Sequence, residues 1–347
     1  MKIRQVVVTG QNQVDLQGFD LDERLAPDEF LVQTECTFIS AGTELANYTG
    51  KEPQVFQKGA WCAYPWRAGY ANVGVVTAVG EKVTRTRVGQ RVLSFGPHAS
   101  VIKANCRGLV VAVPDGMDPA VAVATRMAGV AATAPAVADL GVSPWVVVFG
   151  LGMVGNLAAQ AFRILGARVI GVDPLPARRA LAERCGIVPT IGGNPAEIRQ
   201  TLDELTADHM ADISVDATGL TPVALQALHV TANMGQLILL GTPRAPVDGN
   251  LTVILSDIHL RNITVRGALE WCLPVYPPSG AFGGKTLPLL SLYDKHVAIF
   301  DWVRSGRMQI EPLISHRLAP QRVKEGYEGL LNQPEAFTGV ALDWRLK

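Results

Sequence analysis

Two short stretches of this 347-residue chain could do chemistry. The first is GLGMVG, in which Gly150, Gly152 and Gly155 have G-x-G-x-x-G spacing. The pattern is weak alone, but here it follows an apolar run, PWVVVFG, and opens an amphipathic one, MVGNLAAQAFRILG. In a strand–turn–helix setting the first glycine permits the tight turn. The second lets the backbone approach a pyrophosphate, and the third lets the helix pack close to the strand. The helix start at Met153 and Val154 then offers unpaired N–H groups to the phosphates. Asp173 ends the next strand-like run, 23 residues after Gly150. A carboxylate there accepts both ribose hydroxyls of an adenosine and repels a 2′-phosphate, so NAD is expected over NADP. Arg178 and Arg179 follow closely and pull the other way. The plainer alternative is a packing turn with Asp173 as a helix cap. The second stretch is RAGYANVGVVTAVGEKV, Arg67–Val83. It reads as a loop running into a buried strand, and the side chain at the junction with chemical potential is Tyr70.

The elements around these residues fall into two regions. The first third alternates β-rich runs (FLVQTECTFIS, ANVGVVTAVG, QRVLSFG, GLVVAVP) with Gly/Pro punctuation, as in a compact β domain. From Asp118 the chain becomes alanine-rich and helical. Strand and helix then alternate: PWVVVFG, MVGNLAAQAFRILG, ARVIGVD, PARRALAERCG, ISVDATG, TPVALQALHVTANM (read as a helix throughout), GQLILLG and ITVRGAL. That rhythm predicts an α/β fold with a doubly wound parallel sheet. Residues 271–292 form a loop rich in Pro, Gly and aromatics, and loops of this length are usually functional. The tail returns to helix, strand and helix.

Composition narrows the function. Apolar residues make up 48% and charged residues 18%, with 31 basic against 31 acidic, so neither nucleic acid nor an anionic membrane is favoured as a partner. No secretion signal or membrane-spanning run is read in the sequence, and a small-molecule substrate is expected. Five scattered cysteines without a Cys-x-x-Cys pair suit a reducing cytoplasm.

With these residues in register, the chain resembles the medium-chain dehydrogenase/reductase superfamily of zinc-type alcohol dehydrogenases over nearly its whole length. The resemblance implies a GroES-like β domain over residues 1–124, completed by 272–347, around a Rossmann domain over 125–271. It implies hydride transfer in the cleft between them. VDATG and LLGTP then place Thr218, Gly241 and Thr242 near the nicotinamide. The departures are as informative. Where zinc members carry a Cys-Gly-Thr-Asp-like motif, this chain has ISAGTE, with Ser40 or Ala41 at the cysteine position. Where they carry Gly-His-Glu it has Gly69-Tyr70-Ala71, and the third ligand position falls near Arg126 and Met127. A catalytic zinc needs about three protein ligands, so no metal is expected. The SAGTEL and GYANVGVV combination is most similar to a zinc-lacking branch that includes bacteriochlorophyllide a dehydrogenase.

Without zinc, alcohol oxidation needs a side chain to take the proton. Tyr70 is the first candidate, with a pKa lowered by a nearby cation, or else it fills the volume of the lost metal. Thr43 occupies the family's proton-relay position, flanked by Ser40 and by Glu44, a structural partner of a basic residue. Arg126 lines the cleft or pairs with a surface carboxylate. Trp61, Trp66, Trp271 and Tyr276 are candidates for an aromatic substrate wall or for packing. His98 is expected to be exposed. The expected activity is a zinc-independent, NAD-dependent dehydrogenase acting on a secondary alcohol or its ketone. A zinc-independent enoyl or quinone reductase and an NAD(H)-binding sensor without turnover are the alternatives. The resemblance further implies a homodimer that pairs the strand within Asn262–Leu269 of two subunits.

Overall fold

The run WVVVF is β-branched and aromatic without alternation, the pattern of a strand covered on both faces. In the computed structural model, which describes residues 1–277 and 290–346, it forms the strand Trp145–Phe149. Val147 and Phe149 enter one core, and Val146 and Val148 enter the core on the other face. This strand sits inside a six-stranded parallel sheet. The order is Thr190–Ile191, Arg168–Val172, Trp145–Phe149, Ala211–Asp216, Thr231–Leu239, Thr264–Gly267. The chain winds outward from the centre first in one direction and then in the other. The strand order therefore reverses between Trp145–Phe149 and Ala211–Asp216, the crevice position where such sheets take ligands. Together these elements make one of two compact units, Met127–Cys272 with Trp302–Pro312.

The helix Met153–Ile164 buries Leu157, Ala158, Ala161 and Phe162, the apolar face its spacing anticipates. Two readings change. TPVALQALHVTANM is helical only over Thr221–Val230, and Thr231 already pairs with Ala211 in the sheet. A buried ladder position outweighs the modest helix propensity of Thr-Ala-Asn-Met. The helix Pro195–Thr206 was not anticipated. Its signal is local: Asn194 caps the Ala196 and Glu197 N–H groups while the Glu197 side chain accepts from the Asn194 N–H.

The other unit comprises Met1–Arg126, Leu273–Asp301 and Leu313–Lys347. Its long strand Glu29–Phe38 pairs antiparallel with Asn72–Val79, Val101–Asn105 and Val340–Asp343, so the chain's end is built into the N-terminal β fold. A three-stranded sheet adds Gln13–Asp20, Lys2–Gly10 and Trp66–Arg67. The window Pro119–Val137 is long and apolar enough to cross a membrane, but 83% of it is buried inside the protein, as for a core helix. The predicted α/β class, with a parallel Rossmann-like sheet and a separate antiparallel one, is what the molecule has. Most of the loop read over 271–292 lies outside the described residues.

Candidate active site and cofactor cradle

In the second unit the glycines meet steric demands no other residue satisfies. Gly150 turns at φ +89°, and a Cβ there would lie 2.6 Å from the Thr218 methyl. A Cβ on Gly155 would sit 1.7 Å from the Gly150 carbonyl oxygen. A Cβ on Gly152 would meet only the Arg178 guanidinium, at 3.9 Å, so that face of the turn is open. Gly152 caps the helix Met153–Ile164 with no side-chain hydrogen bond, which leaves N–H groups at the helix start for an anion. VDATG and LLGTP converge beside this turn. The Leu240 and Gly241 N–H groups donate to the Asp216 carbonyl, and a Cβ on Gly241 would lie 2.2 Å from the Gly219 nitrogen. Thr218 donates its hydroxyl to Asp216 Oδ1 at 2.6 Å and, like Thr242, is exposed. Burial pushes the Asp216 carboxyl above its usual range. A narrow glycine cradle with open N–H groups and exposed threonine hydroxyls fits a dinucleotide.

Asp173, the residue expected to meet the ribose, is engaged within the protein. It is 1% exposed and accepts the Leu151 N–H at 2.8 Å and the Leu175 N–H at 2.9 Å. Arg178 Nη1 lies 3.7 Å from its Oδ2. Arg179 instead donates to the Asp173 and Pro174 carbonyls. One acceptance per oxygen leaves lone pairs for ribose hydroxyls, while the Arg178 charge offsets the repulsion on which the NAD preference was argued.

In the first unit the helix Ala41–Tyr48 starts at Ser40 and brings Ser40, Thr43 and Glu44 together. The Ser40 hydroxyl is hydrogen-bonded to the Tyr70 hydroxyl in a short contact. Arg126, in the helix Pro119–Ala131, is 1% exposed. Its guanidinium carbon lies 4.9 Å from the Tyr70 ring centroid and 4.5 Å from that of Phe95. This is a buried cation between two aromatic faces, not a surface ion pair. The Tyr70 phenol is pushed above its usual value of 10. Burial is the main cause and Glu44 adds to it, while Arg126 and hydrogen bonds from Ser40 and Thr43 act the other way. The expected lowering is therefore corrected: a cation is present, but desolvation outweighs it.

His98 also departs from expectation. It is fully buried, and its Nε2 donates to Glu44 Oε2 at 2.9 Å. Glu44 is fully buried too, and accepts the Ser40 N–H at 2.8 Å and the Tyr327 hydroxyl at 2.6 Å. Gly69, at φ +96°, packs against His98 so closely that a Cβ would lie 2.6 Å from the His98 nitrogen. Sequence spacing missed this network because 54 residues separate Glu44 from His98 and 283 separate it from Tyr327. Trp66 packs in the core with Val6, Val8 and Tyr327, its ring edge-on to Trp61 at 6.0 Å. Tyr276 is held elsewhere in this unit, by Gly108, Val110 and Arg85. Trp271 is exposed on the second unit. Trp66 and Tyr276 therefore form no common wall.

A catalytic zinc does not fit the side chains at the three family ligand positions. Zinc takes thiolate, imidazole or carboxylate donors, and here stand Ser40 or Ala41, the Tyr70 phenol, and Arg126 or Met127. Among the described residues no group of three His, Cys, Asp or Glu could hold a metal ion.

Two outcomes follow from this packing. Glu44→Ala strands His98 and Tyr327 and lowers the unfolding free energy in urea by about 3–5 kcal/mol; a loss within experimental error would show the network to be dispensable. Gly155→Ala forces its new methyl into the Gly150 carbonyl. It abolishes binding of a reduced nicotinamide dinucleotide, NADH or NADPH, in a fluorescence titration and costs about 1–3 kcal/mol of stability; wild-type binding would show that the turn can give way.

Residues 153–274 match the family model described as zinc-binding dehydrogenase. L-threonine 3-dehydrogenase of Bacillus velezensis is 25% identical over 67% of this chain, and the match spans 61% of that enzyme's length. L-threonine 3-dehydrogenase of Mesorhizobium japonicum is 24% identical over 92% of each chain. Among solved structures, a protein of Escherichia coli described as a short chain alcohol dehydrogenase, complexed with NADH, superimposes with a TM-score of 0.79 at 18% identity, covering 99% of both chains, a likeness of fold. The sequence is thus similar, over most of its length, to zinc-type alcohol dehydrogenase-like members of the medium-chain dehydrogenases/reductases, and the solved structure shares the fold.

Proposed function

We propose that this chain is a nicotinamide-dependent oxidoreductase that interconverts a secondary alcohol and its ketone without zinc, with NAD(H) as cofactor. The observation that carries the reading is the Tyr70 hydroxyl, bonded to Ser40 beside Thr43 and backed by the Arg126 charge. Gly150, Gly152, Gly155 and the N–H groups at Met153 and Val154 would hold the pyrophosphate. Asp173 and Arg178 would hold the adenosine ribose, and Thr218, Gly241 and Thr242 would border the nicotinamide end. The bound cofactor supplies or takes the hydride.

The chain's own part is proton handling. A neutral Tyr70 phenol donates to a ketone oxygen, and in the oxidative direction the phenolate takes the alcohol proton. Ser40 and Thr43 extend that path by hydroxyl-to-hydroxyl transfer. A reductase of conjugated C=C bonds using NADPH is the second reading, favoured by Arg178 standing against Asp173. All five cysteines are free, three of them buried, which supports a reducing compartment such as the cytoplasm.

Chelator-treated protein incubated with NAD or NADP should form reduced cofactor with one of a panel of sugars, cyclitols and secondary alcohols. The panel includes L-threonine, on which two relatives are named to act. Turnover lost on chelation and restored by zinc would overturn the metal-free reading. The pH dependence carries a sign. Because the Tyr70 phenol is raised, its base form grows only at alkaline pH, so kcat for oxidation climbs with pH above neutrality. Tyr70→Phe flattens that limb and lowers kcat by about 10²–10⁴-fold; an unchanged profile would remove Tyr70 from the chemistry.

We also infer a homodimer. The strand Thr264–Gly267 is at the sheet's edge, and the neighbouring helix Leu251–Leu260 exposes Leu251, Val253, Leu255 and Leu260. An exposed apolar helix face of this kind is normally covered. Sedimentation at micromolar concentration should return the mass of two chains; the mass of one would refute the pairing.

A further inference from the structure

We propose that Arg126 is a built-in cation against which the Tyr70 phenol gives up its proton, a positioning residue that supplies the charge a metal supplies in zinc-dependent relatives. This rests on the reading of Tyr70 as the proton-handling group. Arginine stays protonated at every pH a protein survives, so it can neither accept the proton nor lose its charge. Its effect on Tyr70 is therefore electrostatic. The geometry suits that effect: a flat guanidinium, 1% exposed, lies 4.9 Å from the Tyr70 ring centroid and is backed at 4.5 Å by Phe95. Burial lowers the local dielectric and lengthens the reach of the charge.

The groups facing Tyr70 can be named on each side. The helix Ala41–Tyr48 and its cap present Glu44, whose negative charge opposes phenolate, and the Ser40 and Thr43 hydroxyls, which favour it. The helix Pro119–Ala131 presents Arg126. The loop behind Gly69 presents His98, tied to Glu44. Arg126 is thus the positive charge set against both burial and Glu44. In ketone reduction the phenol O–H bond breaks and its proton passes to the substrate oxygen as hydride reaches the carbonyl carbon from the reduced nicotinamide. The phenolate left behind is the species Arg126 stabilises. The same charge makes the position hostile to a second cation, consistent with a donor set that does not suit zinc.

The test needs no substrate. Tyrosine labelled with ¹³C at the ζ carbon gives a signal for Tyr70 that is absent from Tyr70→Phe, and its chemical shift is followed against pH in the full chain. Arg126→Gln moves the Tyr70 step to higher pH, and Arg126→Lys, which keeps the charge, restores most of the wild-type position. If Arg126→Gln does not fold, Phe95→Leu serves in its place: it keeps the charge but removes one of the two rings holding it, and also moves the step upward. A Tyr70 step that stays in place in Arg126→Gln, or in Phe95→Leu where that variant stands in, overturns the inference and leaves the dehydrogenase reading standing. A shifted step with full turnover in Tyr70→Phe keeps the electrostatic coupling but overturns the catalytic reading on which the proposal rests.

Discussion

The buried Glu44 carboxylate is the fixed point of the first unit. It gathers one local donor, the Ser40 N–H, and two from distant parts of the chain, His98 Nε2 and the Tyr327 hydroxyl. A carboxylate removed from water is costly unless nearly every lone pair is satisfied, so those partners are held where Glu44 needs them. Two of the links lead to Tyr70. Ser40 is both a partner of Glu44 and the hydroxyl bonded to Tyr70. His98 is packed against Gly69, where even a methyl would collide, so the backbone leading into Tyr70 has one place to go. The position of the phenol follows from the burial of a charge that never needs to touch substrate.

The cofactor half obeys a different constraint, steric and not electrostatic. Helix and strand approach so closely at the Gly150–Gly155 contact that side chains are excluded on one side of the turn. The other side stays open beneath Arg178. Asp173 then stitches the turn to the next strand through the Leu151 and Leu175 N–H groups. Its carboxylate is part of the architecture, and under the proposed reading the Arg178 charge next to it would bear on the choice of nucleotide.

The proposed metal-free chemistry would divide among side chains what a zinc ion does alone. Zinc would bring positive charge and a polarised oxygen in one ion. Here the tasks are separated. In the proposed reading Arg126 would carry the charge, Tyr70 the proton, and Ser40 with Thr43 the exit for it. A phenol raised by burial is a better proton donor than acceptor near neutrality.

Much of this could be read from residue order. Glycine spacing between an apolar strand and an amphipathic helix implies a dinucleotide turn because backbone sterics are local and period-bound. The strand–helix alternation implied the parallel sheet for the same reason. The residue types at Ser40 or Ala41, at Tyr70 and near Arg126 and Met127 were also legible, since donor chemistry belongs to the residue itself. Tertiary structure alone decided the rest. It turned a histidine expected in water into a buried partner of Glu44, moved Trp66 into the core, set Arg178 against Asp173, and placed Arg126 between two rings. It also reversed the expected direction of the Tyr70 shift. Desolvation and through-space charge depend on neighbours far apart in the chain, and no local pattern of residues encodes them.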